Sequence, residues 1–130
     1  MNTKLIMTST AVFLAAIGIS LTFAPDNIIV LSGMNNSIVP RLILQLLGAA
    51  YFALAMLNWM AKGAIIGGIY NRPIAIANLT HFVIGGIALT KAVLSNYQLP
   101  MVLSIMAGFY VVTACIFGLM ILRHPGSTAA

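Results

Sequence analysis

The chain has 130 residues, of which 62% are hydrophobic and only 5% are charged. Ordinary soluble domains carry about 25% charged residues, so the six basic and one acidic side chains of this chain could not cover the surface of a soluble fold. The composition therefore excludes a soluble globular domain and predicts that lipid is the solvent for most of the surface.

The few charged and sulfur-bearing side chains exclude several function classes. The net charge of +5 comes from basic residues scattered singly at segment ends, which is typical of a membrane protein and not of a nucleic-acid binder. Asp26 is the only acidic residue, which excludes paired-carboxylate catalysis and an intramembrane carboxylate proton carrier. Cys115 is the only cysteine, which excludes an internal disulfide and a cysteine-rich metal site. We therefore predict no catalytic residues, no metal and no cofactor.

Four apolar stretches are long enough to cross a membrane, which takes about 20 helical residues. The first follows Lys4 and resembles a signal peptide, but its apolar run is longer than the usual h-region of about 7–15 residues. Prolines open the other three spans, where the missing N–H has no helical partner to lose. We predict an all-α, integral membrane, antiparallel four-transmembrane-helix bundle, one domain over residues 1–130, with spans at 5–24, 39–61, 73–94 and 99–122.

Two connections between the predicted spans are informative. Pro25-Asp26-Asn27 and the apolar residues after them predict a short interfacial helical turn that ends at Gly33. The four-residue connection "SNYQ" is tight, so spans three and four are expected to be antiparallel neighbours.

The orientation follows from the distribution of lysine and arginine, which is biased towards the cytoplasmic side. With the N-terminus inside, the cytoplasmic side carries Lys4, Lys62, Arg72 and Arg123, and the outer side carries Arg41 and Lys91. This asymmetry predicts a multi-pass membrane protein with both termini in the cytoplasm.

Polar side chains form stripes on the second and third spans. The stripe on span two is Gly48, Tyr51, Ala55, Asn58 and Lys62, and the stripe on span three is Asn78, His81, Gly85 and Ala92, with Ile74 and Ala88 beside it. From the rise of 1.5 Å per residue, Asn58 and Asn78 lie at the same depth. We predict a polar pocket of Tyr51, Asn58, Asn78 and His81, and an outer polar pair of Gln45 and Lys91.

The stripes are typical of helix packing, whereas His81 allows two interpretations. Small residues let helix backbones approach and amides hydrogen-bond across the contact, so the stripes favour helix packing. His81 could alternatively relay a proton or bind a quinone or lipid head group. Packing predicts a neutral His81 that points into the bundle, with a polar partner among Tyr51, Asn58 and Asn78.

The connection "KGAIIGGIYNRP" contains a second candidate site. Tyr70, Asn71 and Arg72 supply an aromatic ring, an amide and a guanidinium fork that could hold a lipid head group or another anion. The alternative is an interfacial turn in which Tyr70 belongs to the aromatic belt and Arg72 fixes the orientation.

The stretches "QLLGAAYFALAMLNWMAKG" and "IGGIYNRPIAIANLTHFVIGG" resemble a group of small bacterial four-helix inner-membrane proteins of unassigned function. The resemblance covers about the middle third of the chain, and in size and topology it extends loosely to DoxX-like proteins. It implies a bacterial inner membrane and four helices, and it carries over no activity and no catalytic residue.

These observations favour a non-enzymatic membrane protein that acts as a binding, assembly or accessory subunit. The first alternative is an oligomeric transporter or channel for an anion or neutral solute, with Gln45, Tyr51, Asn58, Asn78 and His81 along its path. The second is a lipid- or quinone-binding membrane enzyme with His81 as the base. The predicted partners are membrane lipids and either a second copy of the chain or another membrane protein, but not nucleic acid.

Overall fold

The protein is all-helical in a computed structural model, which describes residues 2–63, 71–96 and 98–122. The helices in chain order are α1 (Thr3–Phe23), α2 (Pro25–Leu31), α3 (Ile38–Ala61), α4 (Arg72–Ser95) and α5 (Met101–Leu122). All of them except α2 are long and apolar enough to cross a membrane. The bounds of these four helices lie within two residues of the predicted spans, because prolines and polar connections mark the ends of the apolar runs.

The chain divides into two compact units, Met1–Gly63 and Ala64–Ala130. In the first unit, α1 packs against α3 through two glycines. A Cβ atom added at Gly18 would lie 2.8 Å from the backbone nitrogen of Phe52 and 2.9 Å from the carbonyl oxygen of Gly48. A Cβ atom at Gly48 would lie 2.8 Å from the carbonyl oxygen of Gly18 and from the backbone nitrogen of Thr22. The two helices are antiparallel, and their backbones touch where neither residue has a side chain.

The short helix α2 confirms the helical turn predicted after the first span. Pro25 is its first residue, and Gly33 just beyond it has a φ of +65°, a left-handed conformation that glycine adopts without steric cost. An ion pair joins α2 to the first turn of α3, with Arg41 Nη2 at 2.7 Å from Asp26 Oδ1. Asn36 Oδ1 also accepts from Arg41 Nη2 at 3.4 Å.

The second unit is built around aromatic rings between α4 and α5. Phe82 and Phe117 stack at 6.1 Å between ring centroids, and Phe82 meets the edge of Tyr110 at 5.0 Å. All three side chains are fully buried. Gly85 leaves the space that the Tyr110 ring occupies, because a Cβ atom there would lie 2.5 Å from the ring carbon Cε1. These contacts make α4 and α5 the antiparallel neighbours that the short connection predicts.

Candidate functional site

The two asparagines of the predicted polar pocket are fully buried, and each is bonded within its own helix. Asn58 Nδ2 donates to the carbonyl oxygen of Leu54 at 2.9 Å, and Asn78 Nδ2 donates to the carbonyl oxygen of Ile74 at 2.9 Å. A buried amide without partners would cost several kcal/mol. In each case the acceptor is the carbonyl oxygen four residues earlier. Part of the hydrogen-bonding capacity of each amide is therefore satisfied within its own helix.

The predicted pocket draws its residues from both units. Tyr51 and Asn58 belong to α3 in the first unit, whereas Asn78 and His81 belong to α4 in the second. The pairings of Asn58 with Asn78 and of Gln45 with Lys91 therefore join different units and stay predictions. Gln45 and Tyr51 are partly buried, and Lys91 is exposed.

His81 hydrogen-bonds to a residue that the sequence analysis did not consider. His81 Nε2 lies 3.1 Å from Tyr110 Oη on α5, and their rings are tilted at 46° with centroids 5.4 Å apart. Depending on its tautomer, a neutral imidazole either accepts a hydrogen bond from the Tyr110 hydroxyl at Nε2 or donates one from Nε2–H to the Tyr110 oxygen. The matched depths in the sequence relate residues of spans two and three only, and they do not point to a hydroxyl on span four.

The buried face of α4 differs in part from the predicted stripe. Asn78 is buried as expected, but the other buried residues of α4 are Ala75, Phe82 and Gly86. Ala88 and Ala92 are exposed, and His81 is only partly buried. The rings of Tyr110 and Phe117 explain the difference, because they fill the contact with α5 and select the face of α4 that carries Phe82 and a glycine.

The predicted head-group site lies at the start of α4 and is described only in part. Tyr70 lies outside the described residues. Asn71 precedes the helix, and its carbonyl oxygen accepts from the backbone N–H of Ala75 at 3.3 Å. Arg72 is the first residue of α4 and is exposed. At the end of α3, Lys62 Nζ lies 3.0 Å from the centroid of the Trp59 ring, a cation–π contact typical of a membrane interface.

Each unit also carries a groove that the sequence analysis did not predict. The larger groove, of about 580 Å³, runs between α4 and α5, and the smaller one, of about 240 Å³, runs between α1 and α3. His81 is not among the residues that line either groove. Within residues 2–63, 71–96 and 98–122, no group of three His, Cys, Asp or Glu side chains could hold a metal ion.

In comparisons with known proteins, no family model, no curated protein and no solved structure matches the chain. The resemblance to small four-helix inner-membrane proteins therefore stays a prediction.

Proposed function

We propose that the protein is a non-enzymatic integral membrane protein of the bacterial inner membrane that acts as a binding, assembly or accessory subunit. The observation that carries the proposal is the bond between His81 and Tyr110, at 3.1 Å, inside the aromatic contact of α4 and α5. In this arrangement the imidazole holds two helices together. A polar residue within a membrane is costly unless it has such a partner.

The buried asparagines support the same interpretation. Asn58 and Asn78 donate to carbonyl oxygens of their own helices, at 2.9 Å each. A solute pathway requires amide groups that exchange their partners for a passing solute, whereas here the amide N–H groups have backbone acceptors. We therefore assign these residues to the packing of the membrane helices.

The predicted membrane arrangement belongs to the same proposal. The four long helices form an antiparallel bundle with both termini in the cytoplasm. In that orientation the cytoplasmic side carries four basic residues and the outer side carries two. Many large apolar side chains of the long helices are exposed, which supports contact with lipid, a second copy or a partner membrane protein.

A flux measurement tests the proposal against a transporter. We expect proteoliposomes that contain the full chain to pass chloride and glycerol no faster than protein-free liposomes, because the pocket residues serve packing. The matched variants are Asn78→Leu and His81→Leu, reconstituted at the same protein-to-lipid ratio. Solute movement above the protein-free level that disappears in either variant would overturn the proposal and establish a transport path through these side chains.

A further inference from the structure

The groove between α4 and α5 combines apolar walls with a polar end. Its deep part is lined by Phe82 and Gly86 of α4 and by Cys115 of α5. Thr90, Lys91 and Ser95 line the other part, near the C-terminal end of α4. Apolar along most of its length and cationic at one end, the groove matches an amphiphile with a long apolar tail and an anionic head.

The length of the groove agrees with one leaflet of a bilayer. Lys91 follows Phe82 by nine residues on α4, which corresponds to about 14 Å at 1.5 Å per residue. The hydrocarbon core is about 30 Å thick, so each leaflet contributes about 15 Å. An extended tail that begins at the level of Lys91 would therefore reach Phe82 and Cys115 near the middle of the membrane.

The charge distribution selects an anionic head. The second unit contains no aspartate or glutamate, and Asp26, the only acidic residue of the chain, is paired with Arg41 at 2.7 Å in the first unit. A lysine ammonium is a compact cation with three donors that binds phosphate as a point charge. The smaller groove between α1 and α3 has no charged side chain among its lining residues, so it offers no comparable contact.

We propose that the groove between α4 and α5 holds one acyl chain of an anionic glycerophospholipid whose phosphate contacts Lys91. The hydroxyl groups of Thr90 and Ser95 lie at the same end of the groove and add donors for the head group. The inference rests on the proposed binding function and gives it a ligand class and a site.

Native mass spectrometry of the full chain released from nanodiscs tests this site. The nanodiscs contain equal amounts of phosphatidylcholine and phosphatidylglycerol, and the measured quantity is the ratio of the two lipids retained on the protein. We expect one retained phosphatidylglycerol per wild-type chain. Lys91→Gln should reduce the preference for phosphatidylglycerol about fivefold, since one interfacial lysine contributes about that factor to the binding of anionic lipid.

Two variants show whether charge at this position decides the preference. Lys91→Arg keeps the cation and should retain the preference, and Lys62→Gln removes a cation from the first unit and should leave it unchanged. Equal preferences in wild type and Lys91→Gln would overturn the proposal. Loss of the preference in Arg72→Gln but not in Lys91→Gln would also overturn it, because the phosphate would then lie at the opposite end of α4.

The single cysteine tests the position of the acyl chain. Alkylation of Cys115 with N-ethylmaleimide in detergent fills the deep end of the groove, and we expect the retained lipid to be lost after reconstitution. The control is Val112→Cys in a Cys115→Ala background, which places the adduct on α5 outside the groove lining and should leave the lipid bound. Lipid that stays bound after alkylation of Cys115 would contradict the proposal. A second copy of the chain bound in place of the lipid would also contradict it.

The lipid test and the flux test fail independently. Equal lipid preferences in wild type and Lys91→Gln, without solute flux, would overturn the site alone and leave the proposed binding or accessory role standing. Solute flux that depends on Asn78 or His81 would overturn the proposed function, whatever lipid the protein retains.

Discussion

Gly48→Ala is expected to destabilise the first unit by about 2–3 kcal/mol, the upper part of the usual cost of overpacking. The added methyl group would lie 2.8 Å from the carbonyl oxygen of Gly18 and from the backbone nitrogen of Thr22. Neither atom can rotate away, because both belong to the backbone of α1. The helices must separate, and the contacts on both sides of Gly48 are lost with that movement. Unfolding in mixed micelles by increasing dodecyl sulfate measures the free energy.

Gly108→Ala is the matched control, because its methyl group meets no described atom within 4 Å. Alanine is favoured over glycine within a helix by about 0.5–1 kcal/mol, so this variant should be as stable as wild type or slightly more stable. Equal losses in the two variants would contradict the close approach of α1 and α3.

Phe117→Ala is expected to destabilise the second unit by about 2–4 kcal/mol. The side chain is fully buried and stacks on Phe82 at 6.1 Å and 9° between ring planes. Inside a membrane the loss is mainly one of packing, because lipid tails are as apolar as the protein interior. The range lies slightly below the usual cost of a Phe-to-Ala substitution in a protein core, about 3–5 kcal/mol, because the transfer from water contributes little here.

Leu119→Ala is the control for the aromatic core, since Leu119 lies on the same helix and is 50% exposed. Its truncation removes few protein contacts, and the change in unfolding free energy should stay below about 0.5 kcal/mol, as for most surface substitutions. A larger loss for Leu119→Ala than for Phe117→Ala would show that the core of α4 and α5 is assigned to the wrong helix faces.

The helices could be predicted from the sequence because their ends are marked by chemistry that acts locally. Pro73 lies in the first turn of α4, and Pro100 stands directly before α5. Gly33 follows α2, as the turn after Pro25 predicts. The apolar runs between these markers have the length that a bilayer requires.

The contacts within the units were harder to predict because they depend on which helix faces meet. Tyr110 is a hydrogen-bond partner of His81, and packing decides which faces of α4 and α5 meet, which hydropathy does not encode. The Asp26–Arg41 pair, which joins α2 to the first turn of α3, was also missed. The groove between α4 and α5 has no sequence pattern of its own, because it results from the shapes of two packed helices.

A double-mutant cycle between His81 and Tyr110 tests most directly the claim that the intramembrane histidine serves helix packing. The unfolding free energies of wild type, His81→Leu, Tyr110→Phe and the double variant give the coupling between the two side chains. We expect about 0.6 kcal/mol and at most about 1.7 kcal/mol, the range measured for hydrogen bonds between membrane helices. His81→Gln, whose amide can still reach a polar partner, should lose less stability than His81→Leu. Additive losses, with a coupling below about 0.3 kcal/mol, together with equal stability of the Gln and Leu variants, would contradict the account.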